Sequence, residues 1–263
     1  MRSVEGASLS LGIVGAGCIG RRVAQAVAEG ALPYRLAAVH DVDAGAAQRL
    51  IRDYAPDAVA SDLAAVLSSS DVVLESAAGS AVPGLVSASR SSYAGCGRPA
   101  HVLVMSVGGL LDVDLTAGDG PVIHVPSGAL GGLDAVQALA VAGLDEVVLT
   151  TRKPPAGLGE AVGEATVLFE GPAREVIAKY PRNVNVAMAL SLAGLGPDDT
   201  RVRLIADPAV DRNTHHVYAR GPAGEVEFES RNVPFPENPR TSYLAALSAI
   251  ALLKRLASSL QVG

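Results

Sequence analysis

Cysteine is nearly absent from this sequence, which contains only Cys18 and Cys96. Two cysteines without metal-ligand spacing predict neither a disulfide framework nor a structural zinc site. We therefore expect a protein of a reducing compartment, the cytoplasm, with no bound metal.

Long uncharged apolar runs are also missing. Asp, Glu, Lys or Arg interrupts every candidate segment before it reaches the roughly 18 residues that indicate a membrane-spanning helix. The apolar stretch before the first glycines is too short for a signal peptide. The net charge of -6 provides no basic surface for nucleic acid or anionic lipid. The sequence thus predicts a soluble protein with neither a nucleic-acid nor a membrane partner.

What is present is typical of a globular protein. Hydrophobic residues make up 49% of the 263 residues and charged residues 18%, so the chain can bury a substantial core as one large domain or two modest ones. In the first half, apolar strand patterns alternate with helical patterns. Strands are predicted at residues 9–14, 34–40, 58–60, 71–74 and 102–106, with helices at 19–29 and around 50–54. This alternation predicts an α/β fold with a Rossmann-type doubly wound parallel sheet.

A glycine motif lies between the first predicted strand and the first predicted helix. The run GAGCIG has the GxGxxG spacing, in which the glycines permit a tight turn, close approach of a pyrophosphate and close packing of helix on strand. Unpaired N–H groups of the helix N-terminus then face the phosphates. The cofactor-binding residues predicted here are Gly15, Gly17, Cys18, Ile19 and Gly20.

Asp41 follows the second predicted strand, where a carboxylate accepts from a ribose hydroxyl in dinucleotide-binding folds. A carboxylate at this position opposes a 2′-phosphate, so the predicted cofactor is NAD. NADP stays open as an alternative, because His40 lies beside Asp41. Polar residues at the ends of the fourth and fifth strands, around Glu75 and Ser106, are predicted to line the nicotinamide end.

The pattern changes after about residue 126. Helices are predicted at 128–144, 172–180 and 185–195, and strands at 146–152, 165–170, 201–206, 215–220 and 225–232. The proline-rich residues 233–239 predict a linker without regular structure, followed by a helix at 241–260 that returns to the first domain. We predict a first domain of residues 1–126 plus 239–263. Residues 127–238 form a second, smaller α+β domain with a largely antiparallel sheet.

Two adjacent histidines, His215 and His216, lie in a predicted strand of the second domain. Neighbouring strand residues face opposite sides, so only one of them can point into a cleft. Histidine exchanges protons near neutral pH, as dehydrogenation of an amine or alcohol requires. A surface pair on a sheet is the alternative that spacing alone leaves open.

Over essentially its full length the sequence resembles the L-aspartate dehydrogenase family. The resemblance lies in the segments HVPSGALGGLDAV, TRKPP, YPRNVNVA and ADPAVDRNTHHV, which occur in this order. It implies NAD- or NADP-dependent oxidation of L-aspartate to iminosuccinate, or the reverse amination of oxaloacetate with ammonia, and a link to pyridine nucleotide biosynthesis.

The resemblance also assigns residues. The active-site histidine corresponds to His215, and the residues that contact the nicotinamide correspond to Ala129 and Asn185. His215 would act as the general base or as the group that later activates water on the imine. Arg152 and Lys153 are candidate ligands of a substrate carboxylate, because an arginine can bind a carboxylate bidentately. Solvated surface cations are the alternative for these two.

Two other functions stay open on the sequence. One is a related two-domain reductase for another amino acid or a hydroxy acid, and the other is a non-catalytic NAD-sensing protein. A homodimer is expected, with the sheet of the second domain as its surface.

Overall fold

Six parallel strands form one sheet of the computed structural model, which describes residues 8–116, 118–180 and 185–262, with only the backbone of residues 239 and 240. The strands are β1 (Leu9–Val14), β2 (Tyr34–His40), β3 (Val59–Ala60), β4 (Val72–Glu75), β5 (His101–Val104) and β6 (Val122–His124). The helices between them are α1 (Cys18–Ala28), α2 (Ala44–Tyr54), α3 (Leu63–Ser69) and α4 (Val82–Cys96). Their order across the sheet is β3-β2-β1-β4-β5-β6, the doubly wound arrangement of dinucleotide-binding folds. The predicted Rossmann-type sheet is confirmed.

The apolar character of these strands explains their place in the sheet. Side chains on both faces of β1 are buried, with Leu11 and Ile13 fully inaccessible to solvent. The same holds for β4, in which all four residues are buried. Strands of a parallel sheet are covered by helices on both faces, so they read as continuous apolar runs.

A second, five-stranded sheet has the order β11-β10-β7-β9-β8. Its strands are β7 (Glu146–Lys153), β8 (Thr166–Pro172), β9 (Arg201–Ala206), β10 (Asn213–Gly221) and β11 (Gly224–Asn232). The helices of this region are α5 (Leu133–Val141), α6 (Pro155–Leu158), α7 (Ala173–Lys179) and α8 (Asn185–Ala193). β7 and β9 are parallel and the other neighbours are antiparallel, which confirms a largely antiparallel sheet. Alternate residues of β7 are buried, so one face of the sheet is covered.

The single helix predicted over residues 128–144 is wrong in its extent, because α5 covers only its middle. Gly128, Gly132 and Gly143 adopt φ angles of 65°, 72° and 94°. Such angles lie in the left-handed region, outside the helical range of other residues, and glycine reaches them without strain. The glycines therefore bound the helix on both sides.

The linker predicted at residues 233–239 is also wrong, because this segment contains regular structure. β12 (Pro234–Phe235) pairs antiparallel with β13 (Asn238–Ser242), and α9 (Tyr243–Leu256) follows directly. In a two-stranded ribbon each strand has a free edge, so a proline that lacks an N–H need not break a pair. The predicted helix at 241–260 accordingly starts later and ends earlier.

Four short or polar elements were not predicted at all. α3 is seven residues long, α6 four and β6 three, too short to show a periodic pattern. α4 contains several serines, which can hydrogen-bond to nearby backbone groups and are not typical of helix interiors, so the sequence does not indicate a helix there.

The described chain divides into two compact units. The described residues of Met1–Ser106, Val113–Val125 and Ala249–Val262 form the first unit, and those of Val107–Asp112 and Pro126–Ser248 form the second. Residues 107–112 and 239–248, which were predicted for the first domain, belong to the second unit. There Ser248, in α9, accepts a hydrogen bond from the Gly128 N–H at 3.1 Å. In the first unit, the Leu253 carbonyl accepts one from the Tyr34 hydroxyl at 2.9 Å.

Two histidines of the first unit contact each other at the edge of its sheet. His101 Nδ1 lies 3.0 Å from His124 Nε2, and both side chains are half-buried. Burial lowers the pKa of His101, and burial together with the charges of His101 and Arg255 lowers the pKa of His124 to about 4. At neutral pH the two rings are therefore uncharged and joined by one hydrogen bond.

This pair should make the protein sensitive to acid. A histidine of the unfolded chain titrates near about 6.5, so below that pH the unfolded state binds more protons than the folded state and stability falls until about pH 4. We expect His124→Gln to reduce the loss of the urea midpoint between pH 7 and pH 5. His216→Gln, in the other unit, is the control. An equally steep loss in His124→Gln and wild type would contradict this role.

Candidate active site

The glycine loop that joins β1 to α1 can be built only with glycine at two of its positions. Gly15 has a φ of 100°, and a Cβ there would lie 2.5 Å from the Ser76 carbonyl carbon. A Cβ on Gly20 would lie 2.2 Å from the Gly15 carbonyl oxygen. Both distances are far inside van der Waals contact. The loop is therefore pressed against the end of β4.

Gly17 differs from these two because it faces outward. A Cβ on it would meet no atom within 4 Å, and no side chain caps the N-terminus of α1 that follows. Cys18 and Ile19, the first residues of that helix, are half-buried. Helix N-termini bind anions through their first backbone N–H groups, and Gly17 leaves this terminus exposed. The arrangement fits a dinucleotide pyrophosphate.

The Asp41 carboxylate is fixed against the same loop. Its Oδ2 accepts a hydrogen bond from the Ala16 N–H at 2.7 Å, and its Oδ1 accepts one from the Asp43 N–H at 2.8 Å. Each oxygen has a second lone pair that these bonds do not use. Asp41 is thus held beside the glycine loop and can accept further hydrogen bonds.

Glu75 joins the loops that follow β4 and β5. The side chain is completely buried, and its carboxylate accepts three hydrogen bonds of 2.8 Å, from the Ser106 N–H, the Ser106 hydroxyl and the Ala77 N–H. Burial raises the pKa of Glu75, against the effect of these hydrogen bonds. Ser76 donates to the Gly15 carbonyl at 2.8 Å. Glu75 therefore holds the loops together from inside, although the sequence suggested that it lines the site.

The covered face of the second sheet carries a polar cluster. His215 on β10 lies directly opposite Thr151 on β7, with His215 Nδ1 3.0 Å from Thr151 Oγ1. Lys153, two residues further along β7, lies on the same face. The three residues are 2%, 0% and 5% exposed respectively.

Burial determines the charge state of this cluster. Burial and the positive charge of Lys153 lower the pKa of His215 to about 3, far from the ordinary value of about 6.5 that the sequence suggested. Burial also lowers the pKa of Lys153 to about 8. At neutral pH the cluster therefore contains a neutral imidazole and a protonated amine.

Ala129 lies in the segment before α5, and β11 holds it by its carbonyl group. This oxygen accepts hydrogen bonds from the Ser230 hydroxyl at 2.8 Å and from Asn232 Nδ2 at 3.1 Å. Both partners are buried.

Asn185, the first residue of α8, accepts a hydrogen bond from the Gly108 N–H at 3.1 Å through Oδ1. Residues 181–184 of the YPRNVNVA segment lie outside the described residues.

Two other residues of these strands lie on the opposite face of the sheet, away from this cluster. Arg152 points away from His215 and Lys153, and its Nη1 lies 2.9 Å from Asp207 Oδ2. His216 likewise faces the other side and contacts Glu227. The structure therefore brings Lys153 together with His215 and leaves Arg152 apart.

Sequence reasoning missed Thr151, Ser230 and Asn232. Their signal is polar residues at every second position of a strand, Thr151 with Lys153 and Ser230 with Asn232, where apolar residues would face a core. Within residues 8–116, 118–180 and 185–262, no group of three or more His, Cys, Asp or Glu is arranged to hold a metal ion. The same residues contain no helix long and apolar enough to cross a membrane.

Comparison with known proteins identifies the two halves of the chain. Residues 15–117 match the family described as homoserine dehydrogenase, NAD binding domain, and residues 134–256 match the family described as aspartate dehydrogenase, C-terminal. The L-aspartate dehydrogenase of Methanocella arvoryzae is 39% identical over 96% of this chain and 98% of its own length. This chain belongs to the aspartate dehydrogenase family.

Further similarities agree with this family. The L-aspartate dehydrogenase of Methanothermobacter thermautotrophicus is 41% identical over 97% of this chain and 98% of its own. The crystal structure of aspartate dehydrogenase from Thermotoga maritima superposes with a TM-score of 0.76, at 28% identity, over 97% of this chain and 99% of that one. The predicted family and enzyme class, a dehydrogenase with a pyridine nucleotide cofactor, are confirmed.

Proposed function

We propose that this protein oxidises L-aspartate to iminosuccinate with NAD, and that the iminosuccinate is released or hydrolyses to oxaloacetate and ammonia. Membership of the aspartate dehydrogenase family supports the substrate. The observation that carries the chemistry is the buried cluster of His215 and Lys153, a proton acceptor and a cation on one face of a sheet. The direct test is NADH formation by the purified protein with each protein amino acid and several 2-hydroxy acids.

The first unit holds the dinucleotide in this proposal. Gly15, Gly17 and Gly20 shape the loop, and the N–H groups around Cys18 and Ile19 bind the pyrophosphate. A bound nicotinamide would supply the acceptor for the hydride of the substrate Cα. Ala129 and Asn185 would contact it, as the family resemblance implies. The hydrogen bonds from Ser230 and Asn232 support this role for Ala129, because they fix its backbone.

Asp41 selects NAD over NADP. Its carboxylate, fixed by Ala16 and Asp43, can accept a further hydrogen bond from a free 2′-hydroxyl and repels a 2′-phosphate.

We expect Asp41→Asn to narrow the difference between the dissociation constants of NAD and NADP. The asparagine removes the charge and keeps one acceptor, for the Ala16 N–H, so the glycine loop should survive. It loses only the exposed hydrogen bond from the Asp43 N–H. Calorimetric titration of both cofactors measures the change. Asp57→Asn, an exposed aspartate of the same unit, should bind both cofactors as wild type does. An unchanged ratio in Asp41→Asn would contradict selection by charge.

His215 accepts the proton of the substrate amine. At neutral pH its imidazole is uncharged and keeps a lone pair, because burial and Lys153 lower its pKa to about 3. So low a pKa makes a weak base in the free enzyme. L-Aspartate brings two carboxylates, and negative charge next to Lys153 offsets the charge that lowers the pKa. Substrate binding therefore strengthens His215 as a base.

Replacing His215 should slow turnover far more than it weakens cofactor binding. We expect His215→Ala to lower kcat about 10²- to 10⁴-fold, the range for loss of a general acid–base, with the NAD dissociation constant unchanged. His216→Ala, on the opposite face, is the control and should keep most activity. A variant with raised KM and intact kcat would make His215 a binding group instead.

Lys153 binds a carboxylate of the substrate. It is 5% exposed and lies on the same face of the sheet as His215, whereas Arg152 lies on the other face, next to Asp207. Because the pKa of Lys153 is lowered to about 8, the ammonium is charged below that pH and loses its charge above it.

Binding of a dicarboxylate should therefore weaken above about pH 8. Succinate is a suitable probe, because it has no amine and its charge is constant in this range. We expect its inhibition constant to rise through this pH in wild type and to stay level in Lys153→Arg, which remains charged. Lys153→Met should bind succinate weakly at every pH, and Lys254→Met, an exposed lysine, should resemble wild type. A pH-independent inhibition constant in wild type would rule out this role.

A further inference from the structure

The His215 ring is anchored through one of its two nitrogens. Nδ1 lies 3.0 Å from Thr151 Oγ1, while Nε2 has no hydrogen-bond partner among the described residues. Both side chains are buried, and the two residues are direct partners across antiparallel strands. Cross-strand neighbours of this kind lie at a fixed separation set by the ladder.

Thr151 is the hydroxyl available to this nitrogen. His215 has a second cross-strand partner, Ser230 on β11, but the Ser230 hydroxyl donates to the Ala129 carbonyl at 2.8 Å. Thr151 makes no other side-chain hydrogen bond within the described part of the chain. Within the described residues, the Thr151 hydroxyl therefore interacts with the His215 imidazole and with no other side chain.

The tautomer of a neutral imidazole depends on such a partner. With the proton on Nδ1, the ring donates to Thr151 Oγ1 and Nε2 keeps its lone pair. With the proton on Nε2, the hydroxyl donates to Nδ1 and no lone pair is left for a substrate. Only the first arrangement survives when the ring takes up a proton, because both nitrogens of the imidazolium are donors.

We infer that Thr151 is a positioning residue, whose Oγ1 accepts from His215 Nδ1–H and so holds Nε2 as the atom that takes the substrate proton. The inference rests on the proposed role of His215. An uncharged acceptor suits this site, because it orients the ring without the rise in basicity that a carboxylate partner would bring. The imidazole then stays neutral until substrate arrives.

The kinetic test compares Thr151→Val with Thr151→Ser. Valine has nearly the same shape but no acceptor, and we expect kcat to fall roughly 10- to 100-fold, as for loss of a partner that orients a metal-binding imidazole. The KM for L-aspartate and the dissociation constant of NAD should change little. Serine should restore most of kcat. Thr150→Val, the neighbour on the opposite face, is the matched control.

A double-mutant cycle separates positioning from general damage to the fold. In a His215→Ala background, Thr151→Val should cause no further loss of kcat, since the ring that it orients is gone. Additive losses would overturn the inference. If His215→Ala lowers kcat and Thr151→Val does not, the inference is wrong while the proposed role of His215 stands. His215→Ala with wild-type kcat would overturn the proposed role of His215 and the inference with it.

Nuclear magnetic resonance of ¹⁵N-histidine-labelled protein gives a readout independent of activity. We expect His215 of the wild type to show a protonated Nδ1 and an unprotonated Nε2 at neutral pH. In Thr151→Val the Nε2–H tautomer should gain population. A wild-type spectrum with the proton on Nε2 would overturn the inference even if the variants failed to fold.

Discussion

The cost of burying ionisable side chains is the constraint on which both parts of this protein depend. An isolated charge in an apolar environment is so unfavourable that the group must be hydrogen-bonded, paired or neutral. Glu75 meets the constraint with three donors, and thereby joins the loops at the carboxyl ends of β4 and β5. His215 meets it by staying neutral, with Thr151 as its partner. Glu75 thereby fixes two loops in place, whereas His215 remains a proton acceptor whose pKa depends on the charge nearby.

The fold was largely predictable because its signals are local. The strands at residues 9–14, 34–40 and 201–206 are apolar runs between turn residues, and the structure has them at the predicted bounds. The errors occurred where backbone conformation overrides composition. Glycines at left-handed φ angles shortened the helix predicted at 128–144, and prolines disguised the β12–β13 ribbon. A sequence lists these residues without showing which conformation each adopts.

The site was predictable only as far as its residues are chemically distinctive. The glycine loop has a recognisable spacing, whereas the bond from Ala16 to Asp41 joins residues that only the fold brings together. Thr151 is an ordinary strand residue until the register places it opposite His215. That same register decides between Arg152 and Lys153. Because neighbouring strand residues face opposite sides, only one of the two can lie on the face of His215. Which one does depends on the register between β7 and β10, which strand propensity does not determine.

Charge links substrate recognition to catalysis in the proposed reaction. Burial, and to a smaller extent the charge of Lys153, lowers the proton affinity of His215, so the free enzyme combines a weak base with a buried cation. A substrate carboxylate next to Lys153 both binds the cation and offsets the part of the lowered pKa that the charge of Lys153 causes. Where the carboxylate at Lys153 is that of the side chain, an amino acid without it would lose the binding energy and also leave His215 the weaker base. Discrimination against it should then appear in kcat as well as in KM, because the interaction that differs between substrates acts on the proton transfer itself.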